Sequence, residues 1–188
     1  MRRQTRIITL ITTVCAGIVL SACGAGGGGG AGASGGATYD PNGTIGISSL
    51  TVTGTSASVS GVAPINPGVN SGQFTVSFNT AGTALPVYSA YVFVNADGTY
   101  HGNSTDINIV INCGATTIGG PCAASVATNC VFDNTNKITC NSPIAGPQTS
   151  DITGFLSGGV PKNAYIVVRV CNALSSACST ANAPIQLQ

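Results

Sequence analysis

Apolar and polar residues alternate with a period of two over most of the chain beyond about position 45, and no stretch shows the repeat of an amphipathic helix. Phe74, Val76 and Phe78 alternate with Gln73, Thr75, Ser77 and Asn79, a pattern that sends one face of a strand into a core and the other into water. Leu50 and Val52 repeat it within a Ser/Thr-rich stretch. Residues 87–94 are more continuously apolar, as in a central strand covered on both faces, and they end at Asn95-Ala96-Asp97-Gly98, a turn signal. Further strands are expected at 107–113, 126–132, 137–140, 164–171 and 183–187, with Gly, Pro, Asn and Asp between them. About seven to nine short strands in one domain predict an all-β fold, an antiparallel β-sandwich.

The N-terminus is patterned differently. Arg2, Arg3 and Arg6 precede an apolar run from Ile7 to Leu20, which is the anatomy of a signal peptide. The run falls short of the roughly 20 apolar residues that a spanning helix needs, so a cleaved segment is expected. Leu20-Ser21-Ala22-Cys23 closes it and resembles the lipobox of bacterial lipoproteins. The resemblance implies cleavage before Cys23, acylation of Cys23 and attachment to a membrane through that lipid. In the lipoproteins of Gram-negative bacteria an Asp after the cysteine favours the inner membrane, so Gly24 implies the outer one, with the protein facing the periplasm or the cell surface. Each buried methylene contributes about 0.8 kcal/mol, and two or more acyl chains give lasting anchorage. The alternative is an ordinary secretory signal cut after Ala22, which leaves Cys23 as an odd thiol.

Three segments follow from these patterns: a signal peptide over 1–22, an acylated cysteine with a glycine-rich tether over 23–38, and the β-sandwich over 39–188. Residues 24–37 are all Gly, Ala or Ser and behave as a flexible coil with a reach of roughly 20 Å. Gly24, Gly26 and Gly29 fit a Gly-x-Gly-x-x-Gly spacing, but no strand leads into it and no helix follows, so a dinucleotide loop is not expected.

Charge narrows the function classes. Beyond the signal, Lys137, Lys162 and Arg169 stand against Asp40, Asp97, Asp106, Asp133 and Asp151, with no glutamate anywhere. Three scattered cations cannot make a basic patch, so binding to nucleic acid is excluded. Cys113, Cys122, Cys130, Cys140, Cys171 and Cys178 remain in the folded part, and an even number in an exported protein reads as a disulfide framework. Their short separations favour three local staples, Cys113 with Cys122, Cys130 with Cys140, and Cys171 with Cys178. A zinc site is not expected, because no Cys-x-x-Cys occurs and the one histidine, His101, lies upstream.

The segment Ala164-Tyr165-Ile166-Val167-Val168-Arg169-Val170-Cys171-Asn172, followed by Ala177-Cys178-Ser179, resembles the last hairpin of bacterial fibronectin type III or immunoglobulin-like domains. The resemblance implies an immunoglobulin-like antiparallel sandwich stapled by disulfides, with Tyr165 opening the penultimate strand and Leu156 beneath a tyrosine corner.

Residues suited to chemistry are few. His101 is the single candidate base for a serine nucleophile, and no Gly-x-Ser-x-Gly elbow accompanies it. The five aspartates form no glycosidase motif. Asn95, Asp97, Thr99 and Asp106 place oxygens around one loop, which suits either a calcium ion or, more simply, a turn in which Asp and Asn hold backbone amides. Tyr88, Tyr91 and Tyr100 are candidates for an aromatic sugar platform. With so few lysines to defend them, sheet edges are candidates for pairing with a partner strand or a second copy. No catalytic residue, metal or cofactor is therefore expected. The expected function is a non-enzymatic, membrane-anchored lipoprotein displaying its sandwich as a structural or binding module, in its sharper form within a surface fibre or adhesive assembly. The alternative is a carbohydrate or surface-ligand binding domain, and after that a periplasmic hydrolase.

Overall fold

The alternating segments pair as strands. The computed structural model describes residues 43–82, 88–113, 125–172 and 177–188; the signal, Cys23, the tether and Cys122 lie outside them, as do the side chains of Tyr88 and Cys113. Ten strands are present: β1 (Ile45–Thr53), β2 (Ala63–Ile65), β3 (Gln73–Gly82), β4 (Tyr88–Asn95), β5 (Ile107–Cys113), β6 (Ser125–Phe132), β7 (Lys137–Ser142), β8 (Gly146–Asp151), β9 (Lys162–Asn172) and β10 (Cys178–Leu187). One sheet runs β1-β3-β6-β7-β8 and the other β2-β10-β9-β4-β5. The core lies between them, with Phe74, Val76, Phe78, Phe132 and Ile138 of the first sheet facing Val92, Val94, Ile166, Val168 and Ile185 of the second. Full burial of each such side chain contributes about 1.5–3 kcal/mol.

All pairings are antiparallel except that of β2 with β10, which is parallel, so the second sheet is mixed. The chain leaves the first sheet after Thr53 and joins the opposite one at Ala63, which closes one side of the sandwich. In the immunoglobulin arrangement one sheet reads A-B-E-D and the other C-F-G. The order β4-β9-β10 has the C-F-G form. The first sheet departs from the A-B-E-D form, because β6, the neighbour of β3, precedes β7 and β8 and the three run outward as a meander. A short 133–136 turn and the Cys130–Cys140 bond hold β6 to β7 locally, which favours that outward course.

Cys130 and Cys140 face each other directly across β6 and β7, and Cys171 and Cys178 across β9 and β10, each pair with Cα atoms 4.0 Å apart. Each bond closes a short loop and removes unfolded-state entropy equivalent to about 2.5 kcal/mol. The expected Cys113–Cys122 staple falls outside the described residues. Leu156 is buried in the core, while the ring of Tyr165 lies against Gly98, where a Cβ would sit 3.0 Å from Tyr165 Cδ1.

Candidate functional site

The two outer faces of the sandwich carry the side chains available for function. On the second sheet, β4 turns Tyr91 and Phe93 outward and β9 turns Tyr165, Val167 and Arg169 outward, while their alternates enter the core. The loop between β4 and β5 folds back over this face. Its fastener is Asp106, only 8% exposed, whose Oδ2 accepts the backbone N–H groups of His101 and Gly102, each at 2.7 Å. Asp106 Oδ1 accepts Asn95 Nδ2 at 2.8 Å, and Asn95 Oδ1 accepts the Gly98 N–H at 2.9 Å. Burial alone would raise the Asp106 pKa, but the bonds from Asn95, His101 and Gly102 outweigh it and hold the carboxyl below its ordinary value. The oxygens proposed for calcium are thus occupied by N–H donors, the turn arrangement of the two considered.

Tyr100 completes the lid. Its ring centroid lies 5.2 Å from that of Phe93, the Arg169 guanidinium carbon sits 4.3 Å over its face, and Arg169 Nη1 donates to its hydroxyl at 3.4 Å. Tyr91 stacks with Phe93 at 6.3 Å. Two of the three tyrosines proposed as a platform are therefore brought together through Phe93, and Arg169 covers one face of the Tyr100 ring. His101 is exposed at the loop tip with Nε2 3.3 Å from Asp97 Oδ2 and Nδ1 3.7 Å from Asp106 Oδ1. No nucleophilic hydroxyl or thiol is bonded to it among the described residues.

The other described aspartates are engaged in the same way. Asp97 accepts the Thr99 amide at 2.9 Å, Asp133 the Thr135 and Lys137 amides at 2.8 and 3.0 Å, and Asp151 the Thr153 amide at 2.8 Å. Hydrogen bonds lower the pKa values of Asp133, led by the Thr135 hydroxyl, and of Asp151, led by the Thr153 amide. Lys162 Nζ donates to the Phe155 carbonyl at 2.6 Å.

The outer face of the first sheet is built otherwise. Register aligns Thr53, Thr75 and Asn129 in one row and Gln73, Val131 and Thr139 in the next. These rows form a groove of about 440 Å³, also lined by Asn70 and Asn141 and by no charged residue. Its rim is a left-handed turn in which Asn70, Ser71 and Gly72 have φ of 48°, 52° and 70°. Non-glycine residues adopt such angles at a cost of about 1 kcal/mol or more. Gly72 is obligatory, since a Cβ would collide with the Phe132 carbonyl oxygen.

No family model, curated protein or solved structure matches this chain. The site is therefore read from its own chemistry. Charged and aromatic groups fasten one face, whereas neutral amides and hydroxyls line an open groove on the other. The alternation of β3 and β6 shows these residues as solvent-facing, but their convergence depends on cross-strand register between distant segments, which leaves no local motif.

The edges also bear on recognition. β1 has a register shift between Ile47 and Ser49, and β5 has two against β4. β2 is three residues long, and β8 carries Pro147 and bonds β5 through Ser150 Oγ and the Asn108 carbonyl. Such features blunt strand addition in place of lysines.

Proposed function

We propose that this protein is a non-enzymatic lipoprotein of the outer membrane, in which acyl chains on Cys23 and the glycine tether hold out a β-sandwich that binds a ligand. The observation that carries the reading is the engagement of every described aspartate in fastening its own turn, which leaves no described carboxylate poised for chemistry. General acid or base work needs a carboxylate or histidine poised beside a reacting group, and these are bound into loops instead. The blunted edges favour recognition through a face over incorporation into a fibre by strand pairing. The lipobox resemblance of Leu20-Ser21-Ala22-Cys23 supports the anchor.

Intact-mass analysis of the native protein, with membrane fractionation, tests this. Acylation at Cys23 and release of a Cys23→Ser variant from the membrane are expected. An unmodified Cys23 in a soluble native protein would overturn the anchored reading.

A further inference from the structure

We infer that the groove on the outer face of the first sheet is a binding site for a neutral oligosaccharide. The inference rests on the reading of the sandwich as a binding module and names its ligand class. Among the described residues, the side-chain amides of Asn70, Gln73 and Asn141 make no intramolecular hydrogen bond, and all three line the groove. Asn129 Oδ1 accepts the Thr75 hydroxyl at 2.9 Å, which leaves its NH₂ group directed to other acceptors. Each amide offers two donors and one acceptor, the complement of vicinal hydroxyls that both donate and accept.

The floor supplies the apolar part. Val131, 37% exposed, stands between Gln73 and Thr139 in the same cross-strand row, where it meets the C–H face of a sugar ring. The volume lies within the range of small-ligand sites, about 300–1,000 Å³. No charge lines the groove, so a carboxylated or phosphorylated ligand finds no counter-ion. Apart from Asn70 in the rim turn, these residues stand on paired strands, so their backbones are fixed before binding, which limits the ordering cost. A second cleft of about 570 Å³ beside Phe155 lacks this character, because its Lys162, Asp151 and Thr105 are already bonded to Phe155, Thr153 and Asn103.

The test uses the native mature protein, in nanodiscs where it is acylated, titrated with neutral hexose and N-acetylhexosamine oligosaccharides and, as a charged set, uronic-acid oligosaccharides. Binding of a neutral member is expected, unchanged between about 50 mM and about 500 mM salt. The Gln73→Ala/Asn141→Ala variant is expected to weaken it at least about tenfold, with an unchanged unfolding curve. A groove-blocking Thr75→Arg variant is expected to abolish it. Binding to no sugar, binding confined to the charged set, or binding indifferent to both variants would overturn the inference. Acylation and fractionation at Cys23 report separately on the anchored reading, so its failure is distinguishable from that of the groove.

Discussion

The two outer faces of the sandwich have opposite construction. On the second sheet, Phe93 and Val167 are buried away from the core because the 96–106 loop is laid over them, pinned by Asp106, Tyr100 and Arg169. On the first sheet, Gln73, Asn129 and Asn141 stand exposed, and nothing among the described residues folds across them. A face whose polar and aromatic groups satisfy one another is structural, and its substitution destabilises the fold. A face that bonds some of its hydroxyls, as Thr75 to Asn129 and Thr139 to Thr149, but keeps the amides of Gln73 and Asn141 without an internal bond among the described residues is available, and substitution of those amides changes what the protein binds.

The largest expected effect comes where the faces cease to be distinct. Gly72→Ala forces a Cβ into the Phe132 carbonyl at a φ of 70°, so it should cost about 3 kcal/mol and collapse the groove with the fold. A urea midpoint near that of the wild type would show that the left-handed rim is not required. Next, Asp106→Ala leaves the buried Asn95 side chain and two loop amides short of an acceptor, at a cost of about 2–3 kcal/mol by the same measurement. Its pH signature has a definite sign. Because the folded-state pKa is lowered, Asp106 contributes stability above its unfolded value of about 4, and this is lost as pH falls through the folded value. The wild type should therefore weaken more steeply below about pH 4 than Asp106→Ala, which retains the contributions of Asp133 and Asp151 but not that of Asp106.

A smaller effect separates the faces more sharply. Arg169→Ala removes the cation over Tyr100 and should cost about 1 kcal/mol, with faster amide exchange across residues 99–102 and unaltered ligand binding. Smallest of all, Gln73→Ala/Asn141→Ala should change stability by no more than about 0.5 kcal/mol. An equal loss of stability from both would erase the contrast.

Legibility in the sequence follows the range of the interactions. β3 and β9 were readable because Phe74-Val76-Phe78 and Ile166-Val168-Val170 encode their own buried faces. β8, Gly-Pro-Gln-Thr-Ser-Asp, carries no apolar residue and exists because β7 offers it a backbone ladder. β2 puts Ala63 and Ile65 into the core, but at three residues it shows no alternation of its own and is placed by its pairing with β10. The Asn95–Asp106 turn was legible as an Asx-rich loop, and the Cys130–Cys140 and Cys171–Cys178 pairs as hairpin staples. The order of β6, β7 and β8 was not, since any of these strands can pair with β3 on pattern alone. The groove was hidden for the same reason. Thr75 and Asn129 are 54 positions apart, and only the register places them in contact.

The division of the two faces is tested most directly by measuring thermal unfolding and neutral-oligosaccharide affinity together on Arg169→Ala and Gln73→Ala/Asn141→Ala, each in the native mature protein. Arg169→Ala is expected to unfold earlier and bind as the wild type does, while the groove variant is expected to unfold with the wild type and lose at least about tenfold in affinity. The reverse assignment, with binding lost in Arg169→Ala and kept in the groove variant, would contradict that division.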